Sequence, residues 1–297
     1  MKQTAKTTAM ASLITAMLIF GTIGIFVHYI PLPSSVIALI RGVVGTLFLL
    51  AFSRARRTPI RWAAIREQLG MLVLSGAVIG FNWILLFEAY RYTTVATATL
   101  CYYLAPVFVI LVSPLLFREK LTAWKLMCAA GALAGMVFVS GVPETGFSGS
   151  AELPGIVCGV GAAVLYACAV LMNKKLTGVQ GLERTVVQLG AAALALLPYV
   201  LLTQRGGIPV GSPAVIALLL TVGIVHTGVA YALYFGAIQA LPAQTTALMS
   251  YIDPVSAILL SALFLGQMPT PSGWIGTVLV LGFTLLSELP VGHREKV

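Results

Sequence analysis

A single aspartate, Asp253, stands inside a long apolar stretch of the chain, in the sequence MSYIDPVS at residues 249–256. Within a membrane span a carboxylate costs about 2.5–3.5 kcal/mol, so it must face a wet cavity, a cation or a polar partner. Pro254 removes one backbone donor and frees a carbonyl one turn earlier, near Ser250, which leaves a polar break beside the carboxylate. We predict that Asp253 exchanges a proton or anchors a substrate ammonium. The alternative is a carboxylate that satisfies donors at the helix break or pairs with Arg41.

The same spacing of tyrosine and proline occurs earlier in the chain, in CYYLAPVF at residues 101–108. Tyr103 precedes Pro106 by three residues, as Tyr251 precedes Pro254. A proline inside a helix removes a backbone hydrogen bond and kinks or breaks the helix. We therefore expect a helix bend at each of the two prolines.

Aromatic side chains recur at matching positions around these prolines. Trp83 and Tyr231 coincide under the shift of about 148 residues that brings the two prolines together. Aromatic rings suit apolar or cationic ligands, and the polar tips of Tyr and Trp can form hydrogen bonds. With Asn82 and Asp253, the residues that we predict to line a substrate cavity are the aromatic residues Trp83, Tyr102, Tyr103, Tyr231 and Tyr251. Helix packing or a belt at the membrane interface is the alternative for any one of them.

Four further polar side chains fall in or at the ends of apolar stretches. Asn82 can hydrogen-bond a substrate or join two helices. Arg41 and Glu88 lie towards the same predicted end of two spans, and we expect a structural or gating ion pair between them rather than substrate binding. Histidine side chains ordinarily titrate near neutral pH, so His226 can relay protons or pack as a neutral ring.

Other kinds of chemistry have no signature in this sequence. No phosphate loop, metal-ligand cluster or nucleophile–base spacing is found, so we predict no catalytic residues, no metal and no cofactor. The cysteines all lie in apolar stretches, which favours small buried apolar residues over disulfides. They are Cys101, Cys128, Cys158 and Cys168.

Composition indicates an integral membrane protein. The 297 residues are 59% hydrophobic and 9% charged, with a mean hydropathy of +0.99, whereas soluble domains carry about 25% charged residues. The net charge of +9 does not indicate nucleic-acid binding, because the positive residues fall in short gaps between apolar stretches. The N-terminal stretch is not followed by a cleavage site and a soluble domain, so we expect an uncleaved first span.

Apolar stretches of about 17–25 residues predict membrane-spanning helices. Ten are expected, at residues 9–29, 34–52, 69–90, 95–116, 123–142, 154–172, 186–204, 213–236, 243–265 and 272–290. Of the 18 Lys and Arg residues, only Arg91 and Arg205 fall in one set of alternate gaps, Arg41 lies within a span, and the rest share the other set. The positive-inside rule then places both termini in the cytoplasm.

Five spans in each half make the second half begin on the opposite side of the membrane. We expect one five-helix repeat at residues 1–148 and a second, inverted repeat at residues 149–297. Inverted repeats are typical of secondary transporters, whose substrate site lies near the midplane between the repeats.

The residues also resemble a known family. The segment GFNWILLFEAYRYTTVATATLCYYLAPVFVILVSPLLFREKLTAWKLMCAAGALAGMVFVSG is similar to the EamA-type repeat of the drug/metabolite transporter superfamily. Its features are EAYRYTTVA, LAPVF within a span, REKLT at a helix end and a glycine-bearing fifth span. The later segment YFGAIQALPAQTTALMSYIDPVSAILLSALFLGQMPTPSGW resembles the repeat more loosely.

The resemblance implies ten helices and alternating access around a cavity lined largely by helices 1, 3, 4, 6, 8 and 9. It implies amino acids, related metabolites or drugs as substrates, usually exported. The family often has an acidic residue after the fourth and ninth spans. Glu119 keeps that residue, but Gln267 stands in the second copy, which weakens any mechanism based on loop charge there.

We therefore expect an all-α membrane protein of the inner (cytoplasmic) cell membrane that is not an enzyme. It would be a secondary transporter that exports a small metabolite, such as an amino acid or aromatic compound. Efflux of multiple drugs or cationic compounds is the main alternative, and an intramembrane enzyme acting on lipids is another. Expected partners are a small-molecule substrate, membrane lipid and protons as a coupling ion, with the chain a monomer or homodimer and no nucleic acid bound.

Overall fold

A computed structural model describes residues 2–57, 60–93, 95–139, 153–204, 212–266, 268 and 270–287. Every element in these ranges is helical. The first half contains α1 Lys2–His28, α2 Ser34–Ala55, α3 Trp62–Glu67, α4 Leu69–Tyr92, α5 Val95–Tyr102, α6 Ala105–Phe117 and α7 Ala123–Val139. The second half contains α8 Leu153–Lys175, α9 Gly181–Thr203, α10 Pro213–Thr221, a π-helical segment Val222–Val229, α11 Ala230–Ala237, α12 Ala243–Met249, α13 Ile252–Leu265 and α14 Pro271–Leu286.

Eight helical stretches of the described chain are long and apolar enough to cross a membrane. Two more apolar helices, Ala123–Phe138 and Pro271–Leu286, are shorter. The chain is therefore a multi-pass helical membrane protein, and ten spans require that both shorter helices also cross.

The seventh span begins earlier than the charge pattern predicted. Residue 186 was the expected start, yet α9 begins at Gly181 and includes Glu183 and Arg184. A capping box explains the start, because the Gln180 side chain and the Glu183 carboxylate each accept from the backbone of the other residue. These bonds satisfy donors that a helix N-terminus otherwise leaves open.

Two predicted spans are interrupted near their prolines. The fourth span is divided between α5 and α6, and Pro106 is the second residue of α6. The ninth span is divided between α12 and α13, and Pro254 is the third residue of α13. A proline near a helix start needs no intrahelical donor, so the residues before it form the break.

The eighth span contains a π-helical segment that the sequence did not predict. The Thr227 hydroxyl donates to the carbonyl oxygen of Val222, five residues earlier, at 3.0 Å. The wider turn continues into α11 without a break. Segments of this kind inside helices are often found at functional sites.

The long helices pack in a connected bundle that joins the two halves. Two helices of the first half pack on helices of the second half. Helix α1 packs on α11 and α13, and helix α4 packs on α8 and α9. Helix α8 also packs on α5 and α6. Three contacts join corresponding spans of the two halves: α2 with α9, α7 with α14, and α6 of the fourth span with α12 of the ninth.

Glycines allow the close approaches between these helices. A Cβ atom at Gly131 would lie 2.4 Å from the Phe283 ring, and one at Gly135 would lie 2.9 Å from the carbonyl oxygen of Gly276. Both contacts join α7 to α14. Gly131 and Gly135, four residues apart on one face of α7, therefore serve packing within one chain, since small residues let helix backbones approach closely.

Substitution of Gly76 by alanine is expected to destabilise the bundle by about 1–3 kcal/mol, as overpacking does elsewhere. Its Cβ atom would lie 2.5 Å from the backbone oxygen of Gln188 on α9, and backbone cannot yield as a side-chain tip can. Gly70 on the same helix is the matched control, because nothing lies within 4 Å of its Cβ position. Melting temperatures in detergent should fall for Gly76→Ala and stay or rise for Gly70→Ala; equal values would contradict the packing argument.

Candidate functional site

A small cavity lies where the two interrupted spans meet. Its volume is about 40 Å³, which is room for a few water molecules. It is lined by Met17, Tyr102, Tyr103, Ala105, Pro106, Tyr166, Ser250 and Asp253. The lining thus comes from α1, α8 and both helix breaks.

Asp253 presents its carboxylate to this cavity. Its backbone is engaged, because its N–H donates to the Ser250 carbonyl oxygen at 3.3 Å and its carbonyl accepts from the Ser256 hydroxyl at 2.8 Å. No described residue donates a hydrogen bond to the carboxylate or forms an ion pair with it. Neither alternative role, a bond to the helix-break donors or a pair with Arg41, is formed in this structure. The carboxylate is therefore available to a cation or a proton.

The two tyrosines that correspond between the halves contact each other. The Tyr251 hydroxyl donates to the backbone oxygen of Tyr103 at 3.1 Å, and the ring centroids are 6.4 Å apart. Tyr102 continues the aromatic surface, with its ring 5.9 Å from Tyr103 and 5.6 Å from Tyr166. Tyr251 itself is completely buried and is not part of the cavity lining that was predicted for it.

Trp83 and Tyr231 also come together, beside the cavity rather than in its lining. Their ring centroids are 6.3 Å apart in an edge-to-face arrangement. The guanidinium of Arg41 lies over the Trp83 ring, 4.9 Å from its centroid. The Arg41 Nε atom donates to the Thr227 hydroxyl at 3.0 Å.

The expected ion pair between Arg41 and Glu88 is absent from this structure. The Glu88 carboxylate accepts instead from Arg91, 3.1 Å away and three residues later on the same helix, and from the Tyr199 hydroxyl. Arg41 is turned towards Trp83 and Thr227. The sequence places Arg41 and Glu88 at neighbouring depths, but helix rotation directs their side chains to different neighbours.

Glu88 lines a larger polar vestibule at one end of the bundle, which we term the Glu88 end. Its volume is about 500 Å³. Its walls are Pro33, Ser34, Ser35, Phe87, Glu88, Arg91, Tyr199, Thr203 and Gln204. The chain therefore carries a wide opening at the end where α2 begins and α4 ends.

His226 lies in the π-helical segment, packed against α1. Its Nε2 atom is 2.8 Å from the Thr22 hydroxyl, and its ring centroid is 4.8 Å from that of Phe26. The side chain is 1% exposed and is not part of the cavity lining. This environment fits the packed-ring alternative, in which His226 joins α1 to the eighth span.

Asn82 joins two helices. Its side-chain nitrogen donates to the Ala162 carbonyl oxygen on α8 at 2.6 Å, and the residue is 1% exposed. The amide oxygen has no hydrogen-bond partner among the described residues. Of the two roles predicted for Asn82, the structure shows the hydrogen bond that joins two helices.

The opposite end of the bundle, which we term the Glu119 end, is closed by polar contacts. The Glu119 carboxylate accepts from the backbone N–H of Ala243 at 2.9 Å, at the start of α12, and pairs with Lys174 at 3.0 Å. Burial alone would raise the pKa of Glu119, but these bonds and one from Gln244 outweigh it and hold the pKa below its ordinary value. The contribution to stability is thus present above the ordinary pKa and lost as the pH falls through the lowered one. Gln267, at the matching position of the second half, lies outside the described residues.

Sequence reasoning missed four cavity residues, Met17, Ala105, Tyr166 and Ser250. Met17 and Tyr166 stand in apolar spans whose periodicity is weak, so nothing in the pattern separates a cavity face from a lipid face. Ser250 was considered only for its carbonyl group. Among the cysteines, Cys101 and Cys128 are buried as expected, but Cys168 is exposed on a face of α8 that membrane lipid can cover.

The fold and this site define a multi-pass helical membrane protein with a polar, aromatic chamber at two helix breaks. The described residues contain no group of His, Cys, Asp and Glu side chains that could hold a metal ion.

The chain belongs to the EamA-like transporter family, whose profile matches residues 7–141 and 153–288. It is 30% identical over 282 residues to "Uncharacterized transporter YxxF" of Bacillus subtilis (strain 168), covering 93% of this chain and 88% of that protein. It is 24% identical over 258 residues to the threonine/homoserine exporter RhtA of Escherichia coli (strain K12), covering 87% and 83% of the two chains. A solved crystal structure with 21% identity superposes with a TM-score of 0.84, covering 95% of this chain and 96% of that one.

Proposed function

We propose that this protein is a secondary transporter that exports a small metabolite, an amino acid or an aromatic compound, by alternating access. The observation that carries the proposal is the cavity at the two helix breaks, where one unpaired carboxylate faces several aromatic rings. Two inverted repeats of five spans, at residues 1–148 and 149–297, would place this cavity near the membrane midplane. On this proposal the protein lies in the inner membrane with both termini in the cytoplasm.

The helix contacts support the inverted repeat. A shift of 148 residues relates the packing of α1 on α13 to that of α8 on α5 and α6. The same shift relates the packing of α4 on α8 to the packing of α11 on α1. It also relates the packing of α4 on α9 to the packing of the π-helical segment on α2. The contacts of α2 with α9 and of α7 with α14 join corresponding helices, as a two-fold axis between the halves requires. The two segments matched by the family profile support the same division.

The polar contacts at the two ends support alternating access. The Glu119 end is sealed by Glu119, Lys174 and the start of α12, whereas the Glu88 end opens into the vestibule. Opening the sealed end requires that Ala243 leaves the Glu119 carboxylate, which moves α12 relative to α6. The helix breaks beside Pro106 and Pro254 supply places where such a movement can bend a span without breaking regular hydrogen bonds.

Efflux of cationic compounds is a second candidate, and the unpaired Asp253 carboxylate beside aromatic rings favours it. Cations are attracted both to a carboxylate and to ring faces. The relative named as a threonine/homoserine exporter supports an amino acid instead. An amino acid carries an ammonium group, so both candidates use the same carboxylate.

Counterflow in proteoliposomes tests the proposal. Vesicles loaded with one unlabelled compound should accumulate the same labelled compound, with saturation, when it is a substrate. The panel contains the amino acids, aromatic metabolites and cationic drugs, and protein-free vesicles are the control. Accumulation of an amino acid or aromatic compound supports the proposal, accumulation of cationic drugs alone supports the second candidate, and no saturable accumulation of any compound contradicts both.

Proton coupling is a further part of the proposal. An imposed pH gradient should drive net flux of the substrate identified by counterflow, because Asp253 can exchange a proton between the two orientations. Net flux that is unchanged by the pH gradient would indicate exchange or facilitated diffusion.

A further inference from the structure

Arg41 is a charged side chain within a span, two turns from the start of α2. Arginine inside a membrane is costly, so it faces a partner or a water-filled space. The side chain is neither fully buried nor exposed. Its contacts therefore show which parts of the guanidinium are already used.

One face and one edge of this guanidinium are occupied. The face lies over Trp83, and Nε donates to the Thr227 hydroxyl. Thr227 is itself fixed, because its hydroxyl donates to the Val222 carbonyl within the π-helical segment. The two terminal NH₂ groups have no acceptor among the described residues.

Arg184 shows what a structural arginine does in the same bundle. It is completely buried, and its terminal nitrogens donate to four backbone oxygens, those of Asn173, Leu176, Val179 and Phe235. Arg41 has no comparable set of acceptors. Its outer edge has the geometry of a fork, which binds a carboxylate through two parallel hydrogen bonds.

Aromatic rings connect Arg41 to the cavity. Trp83, beneath the guanidinium, contacts Tyr231. Tyr231 in turn contacts Phe20, with ring centroids 5.1 Å apart, and Phe20 lies one turn from Met17 of the cavity lining on α1. Arg41 therefore packs on the aromatic cluster that borders the cavity of Asp253, and the two side chains form no ion pair.

We propose that Arg41 is a second substrate anchor, which binds the carboxylate of a zwitterionic α-amino acid whose ammonium group binds Asp253. This inference rests on the proposed transport function and names its substrate class. Trp83 and Thr227 are positioning residues that hold the guanidinium edge towards the substrate. The inference replaces the expected gating pair with Glu88.

Equilibrium binding to the purified, full-length protein tests the inference. The probes are L-tyrosine, L-tyrosinamide and tyramine, together with L-threonine and L-threoninamide. The wild-type protein should bind each acid about 10- to 100-fold more tightly than its amide, the range of a charge-assisted hydrogen bond. Arg41→Gln should abolish this preference while tyramine binding, which needs only Asp253 and the aromatic rings, persists.

Arg54→Gln is the matched control, because it makes the same change at an exposed position on the same helix. It should keep the acid-over-amide preference. Arg41→Lys keeps the charge without the fork and should retain only part of the preference. If Arg41→Gln fails to fold, Arg41→Lys carries the test, and an unchanged acid-over-amide preference in Arg41→Lys would overturn the inference.

Three results would overturn the inference. The wild-type protein could bind acid and amide equally, Arg41→Gln could keep the preference, or the protein could bind neither amino acid. The first two leave the proposed transport function intact, because an amino acid is still bound. The third rejects the zwitterion, and counterflow of aromatic or cationic compounds then decides the transport proposal separately.

Discussion

Asp253→Asn is expected to weaken substrate binding at least about 30-fold, since removal of one member of a buried charge pair costs about 2–5 kcal/mol. The amide cannot neutralise an ammonium group or exchange a proton in the physiological range. Flux driven by a pH gradient should therefore be lost as well. The melting temperature should stay or rise, because the substitution removes a carboxylate that no described residue stabilises.

The measurements are binding of the transported compound, flux under an imposed pH gradient and thermal unfolding. Glu67→Gln is the matched control, the same change of carboxylate to amide at an exposed position of α3. It should leave the melting temperature, the substrate affinity and the pH-dependent flux unchanged. Unchanged binding and pH-dependent flux in Asp253→Asn would reject the assigned role, whereas loss of folding would mean that the carboxylate is structural.

Arg184→Met should cause the largest loss of stability, about 3–5 kcal/mol, the range seen when one side of a buried charged network is removed. The guanidinium holds the C-terminal turns of α8 and α11 and the loop before α9 through four backbone oxygens. Methionine fills much of the same volume but donates no hydrogen bond to those oxygens, of which only that of Asn173 has another side-chain donor, Gln239, among the described residues. A large fall in melting temperature and in the yield of folded protein is expected.

Two further variants separate the hydrogen bonds from the charge. Arg184→Lys keeps the charge but has a compact ammonium group that cannot reach all four oxygens, so it should recover only part of the stability. Arg54→Met makes the same change as Arg184→Met at an exposed position and should alter the melting temperature little. Equal melting temperatures for Arg184→Met and the wild-type protein would show that the four bonds add no net stability.

Much of the helical organisation could be predicted from the sequence because hydropathy and proline act locally. Apolar length indicated where helices lie, and the two prolines indicated where spans are interrupted. The start of α9 was wrong, because Arg184 was treated as a loop charge. Only the folded chain shows that four carbonyl oxygens surround it and make its burial possible.

The candidate site was predictable in composition but not in its contacts. Residue types placed Asp253, Tyr102 and Tyr103 near one another, and the structure brings them into one cavity. Side-chain pairing depends on how each helix is rotated about its axis, which weak amphipathicity leaves undefined. For that reason the sequence could not assign Arg41 to Trp83 and Thr227, or foresee the π-helical segment that orients Thr227.

The cavity lining places Ala105 of the first half with Asp253 of the second, and these positions are related by the 148-residue shift. On the proposed inverted repeat, two fully equivalent halves would give the scaffold two orientations of equal energy, which exchange of the halves would interconvert. A carboxylate at only one of the two positions removes that degeneracy, because its hydration differs between the orientations. Asp253 would then bias the resting orientation of the empty protein, together with the Glu119 contacts at one end of the bundle.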